Sequence, residues 1–212
     1  ENGIDHFHLA QFFLRDPAEE PGQLAALEEF LAPCQAIVSF NGKSFDIPLL
    51  VTRFTMHGWK HPFSDLEHLD LLHLARRLWK DRLPNRALSS LEVQILNTSR
   101  TEEDVPGWMI PQLYADYLRT GNAEEMRKVI YHNAMDVTSL AALLDHMAAL
   151  LADPIQTGSA YGADLISLAK LFEDLEELDM AARLYLHGLE HPDAQAWRMP
   201  RPVLLSAIHR LA

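Results

Sequence analysis

The chain contains a single cysteine, Cys34, so no intramolecular disulfide can form. A lone thiol just ahead of an apolar run reads as a core or core-edge residue, and without a secretory pattern it points to the cytoplasm. No run of eighteen apolar residues occurs, so neither a transmembrane helix nor a membrane partner is expected. Glu1 to His6 has no basic start and no apolar stretch, so no signal peptide is expected either. The first residue is not Met, and the sequence reads as a fragment or a trimmed chain. Positive charge is scarce, with 18 Lys and Arg against 30 Asp and Glu and a net charge of −12. A surplus of that sign repels phosphates and argues against a simple DNA-coating protein. It leaves room for an enzyme whose carboxylates hold divalent metals, or for a local basic patch. The histidines at 6, 8, 57, 61, 68 and 73 have no zinc-ligand spacing, and with one cysteine a structural zinc site is not expected.

The 212 residues are 48% hydrophobic, enough for a core and in keeping with one medium domain plus a smaller one. The aromatic stretch from His6 to Leu14 reads as a strand, ended by Asp16-Pro17. Leu24, Leu27, Phe30 and Leu31 give a helical period over 19–31. Ala36 to Phe40, bounded by Pro33 and Asn41-Gly42, reads as a buried, parallel strand. A helix follows from Asp46 or Ile47 to about Met56, with Pro48 in its first turn and Gly58 beyond its end. Leu66 to Leu72 is a strand-to-helix passage, and that helix continues through Trp79. Ser89 and Glu92 form a capping-box pattern at the start of the next helix. After a loop over 101–107, helices are expected near 112–120 and over 123–151, the second divided near His132. Alternating strands and helices followed by a helical second half indicate an α/β fold. Pro154, Gly158 and Gly162 mark a linker over 153–162. Beyond it, helices over 163–178 and 180–189 form an amphipathic pair joined around 177–179, like one tetratricopeptide unit. A third helix runs over 203–211. One such unit cannot make an array; it reads as a helical cap or as a surface for a protein partner.

Two local patterns carry the candidate chemistry. In the first, Phe40-Asn41-Gly42-Lys43-Ser44-Phe45-Asp46, an apolar strand feeds a polar loop and an aspartate opens the next helix. Strand ends in α/β folds face the ligand crevice, where a carboxylate can hold a metal. Asn-Gly is also an ordinary turn, and Asp46 could simply cap its helix. In the second, His132 and Asp136 are four apart and share one helix face, as a site pair or as a plain surface pair.

Taken together, the order strand, Asn-x-x-x-Phe-Asp, long helical stretch, then His132 and Asp136 resembles the second and third motifs of the DEDD family of 3′–5′ exonucleases. The match around Asn41, Phe45 and Asp46 is closest to the proofreading domains of family B polymerases. His132 stands where those domains have tyrosine, at the tyrosine-type spacing from Asp136. The stretch 68–79, Asp104-Val105-Pro106-Gly107 and His132-Asn133-x-x-Asp136-Val137-x-Ser139-Leu140 further resemble the YprB-like group of bacterial ribonuclease H-like proteins, strongly over residues 6–150 and weakly over 163–190. The resemblance implies a ribonuclease H-like fold, one that also tends to carry helical repeats, with domain bounds 1–152, 153–162 and 163–212. It implies two Mg²⁺ or Mn²⁺ ions about 4 Å apart clamping an in-line displacement at a phosphodiester. Asp46 and Asp136 would be metal ligands and His132 the water-side base. Asn41 and Phe45 would position the terminal nucleotide.

The family's Asp-x-Glu motif, source of the other two carboxylates, is missing ahead of Leu14. Asp65-Leu66-Glu67 and Asp174-Leu175-Glu176 have the letters but the wrong place. The expectation is therefore that the motif lies upstream and that this chain alone is a poor nuclease. A sheet without its first strand would expose edges and favour a homodimer. Arg76, Arg77, Lys80, Arg82 and Arg86 form the densest basic segment. With Lys43 they are candidates to meet the phosphates of single strands or 3′ ends, or else a solvated helix face. Trp79 reads as core. The alternative to an exonuclease is a non-catalytic ribonuclease H-like scaffold whose helical tail binds protein. A plain repeat adaptor would need more repeats than the sequence holds.

Overall fold

The computed structural model describes residues 7–100, 104–157 and 160–212. Residues 1–6, 101–103 and 158–159 lie outside them. The described chain is mixed α/β and mostly helical. In order it forms α1 (Glu20–Leu31), β1 (Ala36–Ser39), α2 (Asp46–Met56), β2 (Glu67–Asp70), α3 (Leu71–Trp79), α4 (Leu88–Gln94), α5 (Ile110–Thr120) and α6 (Met126–Ala152). Four further helices follow: α7 (Gly162–Asp174), α8 (Leu178–Glu190), α9 (Pro192–Gln195) and α10 (Arg201–Leu211). β1 and β2 pair in a two-stranded sheet, and Ser39 Oγ meets His68 Nε2 across it at 2.7 Å.

Contacts divide the chain into two compact units, residues 1–69 with 97–141 and residues 70–96 with 142–212. In the first unit Phe54 is fully buried at the end of α2, edge-on to Trp59 and Phe63. Glu20 opens α1 and accepts from Arg53 Nε at 2.6 Å and from His57 Nε2 at 2.9 Å. Hydrogen bonds from Arg53, then His57, hold the Glu20 carboxyl down to about 2 against the opposing pull of burial. The second unit is helical. Its core includes Leu71, Ala75, Leu78 and Trp79 of α3, Leu143 and Met147 of α6, and Ile166, Leu168 and Leu184 of the α7–α8 hairpin. α3 packs on α7, and α10 packs on α8. Arg82 closes over Tyr161 and pairs with the buried Asp164 at 2.8 Å.

Several expectations need correction. Residues 7–14 form no strand. They are anchored by side chains instead: Gln11 donates to the Ile130 carbonyl, Tyr114 donates to that of Leu14, and Phe13 lies against Tyr114 and Tyr117. β1 is partly exposed rather than buried. The Ser89–Glu92 capping box does not form, because α4 starts at Leu88 and Asn85 takes the Ala87 N–H. α6 is continuous through His132. By length and composition alone α6 could cross a membrane, although no apolar run predicts it. Asp136, Asp145 and the partly buried His146 interrupt it, and Leu143, Met147 and Leu150 are buried. Cys34 is half-buried and reduced.

Candidate active site

The junction from β1 to α2 is a tight turn. Asn41 takes a left-handed conformation, φ 65°, which asparagine tolerates better than most residues. Gly42 is buried, and a Cβ there would lie 2.5 Å from that of Ser39, so only glycine fits. The Ile47 N–H donates to the Gly42 carbonyl at 2.9 Å and brings the chain into α2. Phe45 is the N-cap without a side-chain cap bond, and Asp46 is the first helical residue. Asp46 is therefore not the capping carboxylate that the turn alone would allow. It is exposed, and among the described residues it makes no hydrogen bond or ion pair. The helix dipole favours a negative charge at this position. Phe45 is 67% exposed beside it.

Loop and helix assemble a second cluster in the same unit. His132 Nδ1 lies 2.7 Å from Asp104 Oδ1, and His132 Nε2 lies 3.4 Å from Asp136 Oδ2. Arg100 Nη1 reaches Asp104 Oδ2 at 3.2 Å, and the guanidinium also pairs with Asp136. Nδ1 is in contact with Asp104 and, at 3.1 Å, with Arg100 Nη1, and these contacts orient the ring so that Nε2 faces Asp136. Burial pushes the Asp104 carboxyl up. The hydrogen bond and charge of His132, then those of Arg100, outweigh it and leave the group below its ordinary value. Asp136 is 39% exposed, while Arg100, Asp104 and His132 are mostly buried.

Family-model matching covers residues 2–148 with the description RNase_H superfamily. The chain belongs to the RNase H superfamily. It is 32% identical over 182 residues to "Uncharacterized protein YprB" of Bacillus subtilis (strain 168), covering 84% of this chain and 43% of that protein. The chain thus spans less than half the length of this relative. The YprB-like placement read from the motifs stands. No solved structure matches.

RNase H superfamily membership gives a nuclease-type fold, and nucleases of this superfamily commonly use divalent metals. The described residues do not fit a metal centre as they stand. Among them no three His, Cys, Asp or Glu side chains are arranged to hold an ion, and Arg100 occupies Asp136. Asn41, Lys43, Phe45, Asp46, His132 and Asp136 all belong to the first unit, whereas Arg76, Arg77 and Lys80 belong to the second. Arg82 and Arg86 are drawn into structure, by Asp164 and by the Leu83 carbonyl. Trp79 is core, 2% exposed. Sequence reasoning misses Arg100 altogether and gives Asp104 no role, although the string 104–107 carries part of the resemblance.

Proposed function

We propose that this chain is the nuclease-fold portion of a metal-dependent 3′–5′ exonuclease that hydrolyses phosphodiester bonds in single-stranded nucleic acid or at 3′ ends. One observation carries the reading. An imidazole held through Nδ1 by Asp104 presents Nε2 to Asp136, in the same compact unit as Asp46, whose carboxylate has no partner among the described residues. A fixed imidazole beside a carboxylate can take a proton from an attacking water. Asp104 orients the ring, and the unpartnered Asp46 is available to an incoming cation or water. Asn41, Lys43 and Phe45 sit on the turn next to Asp46, where a terminal nucleotide would be gripped. The proposal requires two further carboxylates that the described residues do not bring to this site.

Arg100 supports a second reading, a non-catalytic scaffold in which the guanidinium permanently neutralises Asp104 and Asp136 and the α7–α8 hairpin, like a single tetratricopeptide unit, binds protein. One experiment separates the two. The full-length protein is incubated with end-labelled single strands of DNA and of RNA in Mg²⁺ or Mn²⁺, alongside Asp46→Ala and Asp136→Ala. The exonuclease reading expects stepwise shortening from the 3′ end by the wild type and a loss of at least about a hundredfold in each variant. Equal degradation by all three would remove the assignment, and no degradation by any would favour the scaffold.

A further inference from the structure

The second unit contains a cleft of about 470 Å³ lined by three helices. α3 supplies Arg76 and Arg77 and its C-cap Lys80, α7 supplies Lys170, and the last turn of α10 supplies Arg210. Two carboxylates, Asp81 and Asp174, share the walls. Five cations against two anions reverse the sign of a chain whose net charge is −12. Most of the carboxylates near the cleft act as braces. Arg77 pairs with Asp174, Lys170 lies 3.4 Å from Asp81, and Arg210 pairs with Glu173 just outside the lining. The Arg77–Asp174 pair is largely exposed, and such pairs hold weakly and exchange readily for another anion. Arg76 in the last turn of α3 and Lys80 at its C-cap are exposed and four residues apart, and among the described residues neither has a carboxylate partner.

We infer that this cleft binds the phosphate backbone of a single-stranded nucleic acid, with Arg76 and Lys80 as its main contacts and Lys170 and Arg210 supporting them. The inference deepens the nuclease reading, on which it rests for the class of polyanion. None of the lining residues is aromatic. Base stacking is therefore absent from the recognition, which is charge-driven, indifferent to sequence and steeply salt-dependent. Lys170 and Arg210 come from the far end of the chain, so the fold completes what the basic segment of α3 begins.

The test uses the full-length protein with EDTA to prevent cleavage, and follows the fluorescence anisotropy of a short labelled single strand between about 50 and 200 mM salt. Arg76→Gln with Lys80→Gln should weaken binding on the order of tenfold at low salt. It should also flatten the log–log salt slope by about 1.4, because two phosphates are no longer neutralised by the protein. Arg119→Gln with Lys128→Gln, the same charge change in the first unit, should leave both readings unchanged. Lys170→Gln with Arg210→Gln should weaken binding in the same direction, with melting curves confirming that the helices remain folded. The inference is overturned if the α3 pair binds like wild type, or if the control pair loses as much. It is equally overturned if inorganic phosphate displaces the strand as readily as unlabelled strand does, or if anionic lipid vesicles take the cleft in preference to the strand. A cleft-dependent binding signal from a protein without any nuclease activity would keep the inference and remove only the exonuclease reading.

Discussion

At the residue scale, the side chain that organises the candidate site is Asp104. It lies on a loop and holds an imidazole on α6 that Arg100 also contacts. Asp104→Asn keeps the shape but weakens the grip on Nδ1. It should lower kcat of the full-length protein about 10–100-fold with little change in KM, the pattern of a lost orienting partner. Steady-state kinetics on a labelled strand would show it, and a rise in KM at constant kcat would contradict it. Glu20 provides a separate test on stability. Its folded-state value lies near 2, below the ordinary 4.5. As pH falls, the unfolded chain takes up the proton first, so the Arg53–Glu20–His57 contribution is full above about 4.5 and disappears by about 2. Glu20→Gln should cost about 1 kcal/mol at neutral pH, allowing for solvent screening of the partly exposed Arg53. The gap in Tm to wild type should close across that acid window. Asp46, His132 and Asp136 were legible because strand ends and one-turn spacings leave marks in a sequence. Arg100 and Asp104 were not, because their partners lie about thirty residues away and only folding brings them together.

At the scale of elements, the helices were readable from their apolar period, which survives whatever they pack against. The N-terminal aromatic stretch was misread because the same residues suit a strand ladder or a set of ring contacts, and here Phe12 and Phe13 meet Phe30 and Tyr117. The helical hairpin depends on a feature hidden in composition. A Cβ at Gly162 would lie 2.7 Å from the Gly188 carbonyl, from Asp193 Oδ1 and from Met199 Cε, so α7 and α8 meet backbone to backbone. Gly162→Ala should destabilise the protein by about 1–3 kcal/mol through overpacking, visible as a lowered denaturation midpoint. Gly22→Ala, where nothing lies within 4 Å, should be neutral or slightly stabilising.

At the scale of the whole molecule, each compact unit is built from two separate stretches of chain. A cut at the end of α6, where composition alone would place a boundary, removes α7 from α3, a helix that buries Ala75 and Leu78. A chain ending at Ala152 should therefore bind a hydrophobic dye and lose cooperative melting. Sharp two-state unfolding of that shortened chain would show that the first half stands alone.

The packing of α3 on α7 also has a meaning in time. On a ribosome adding about 5–20 residues per second, α3 emerges some five to twenty seconds before α7 does. Throughout that interval the nascent helix lacks its α7 neighbour, which makes this stretch a natural landing place for a chaperone.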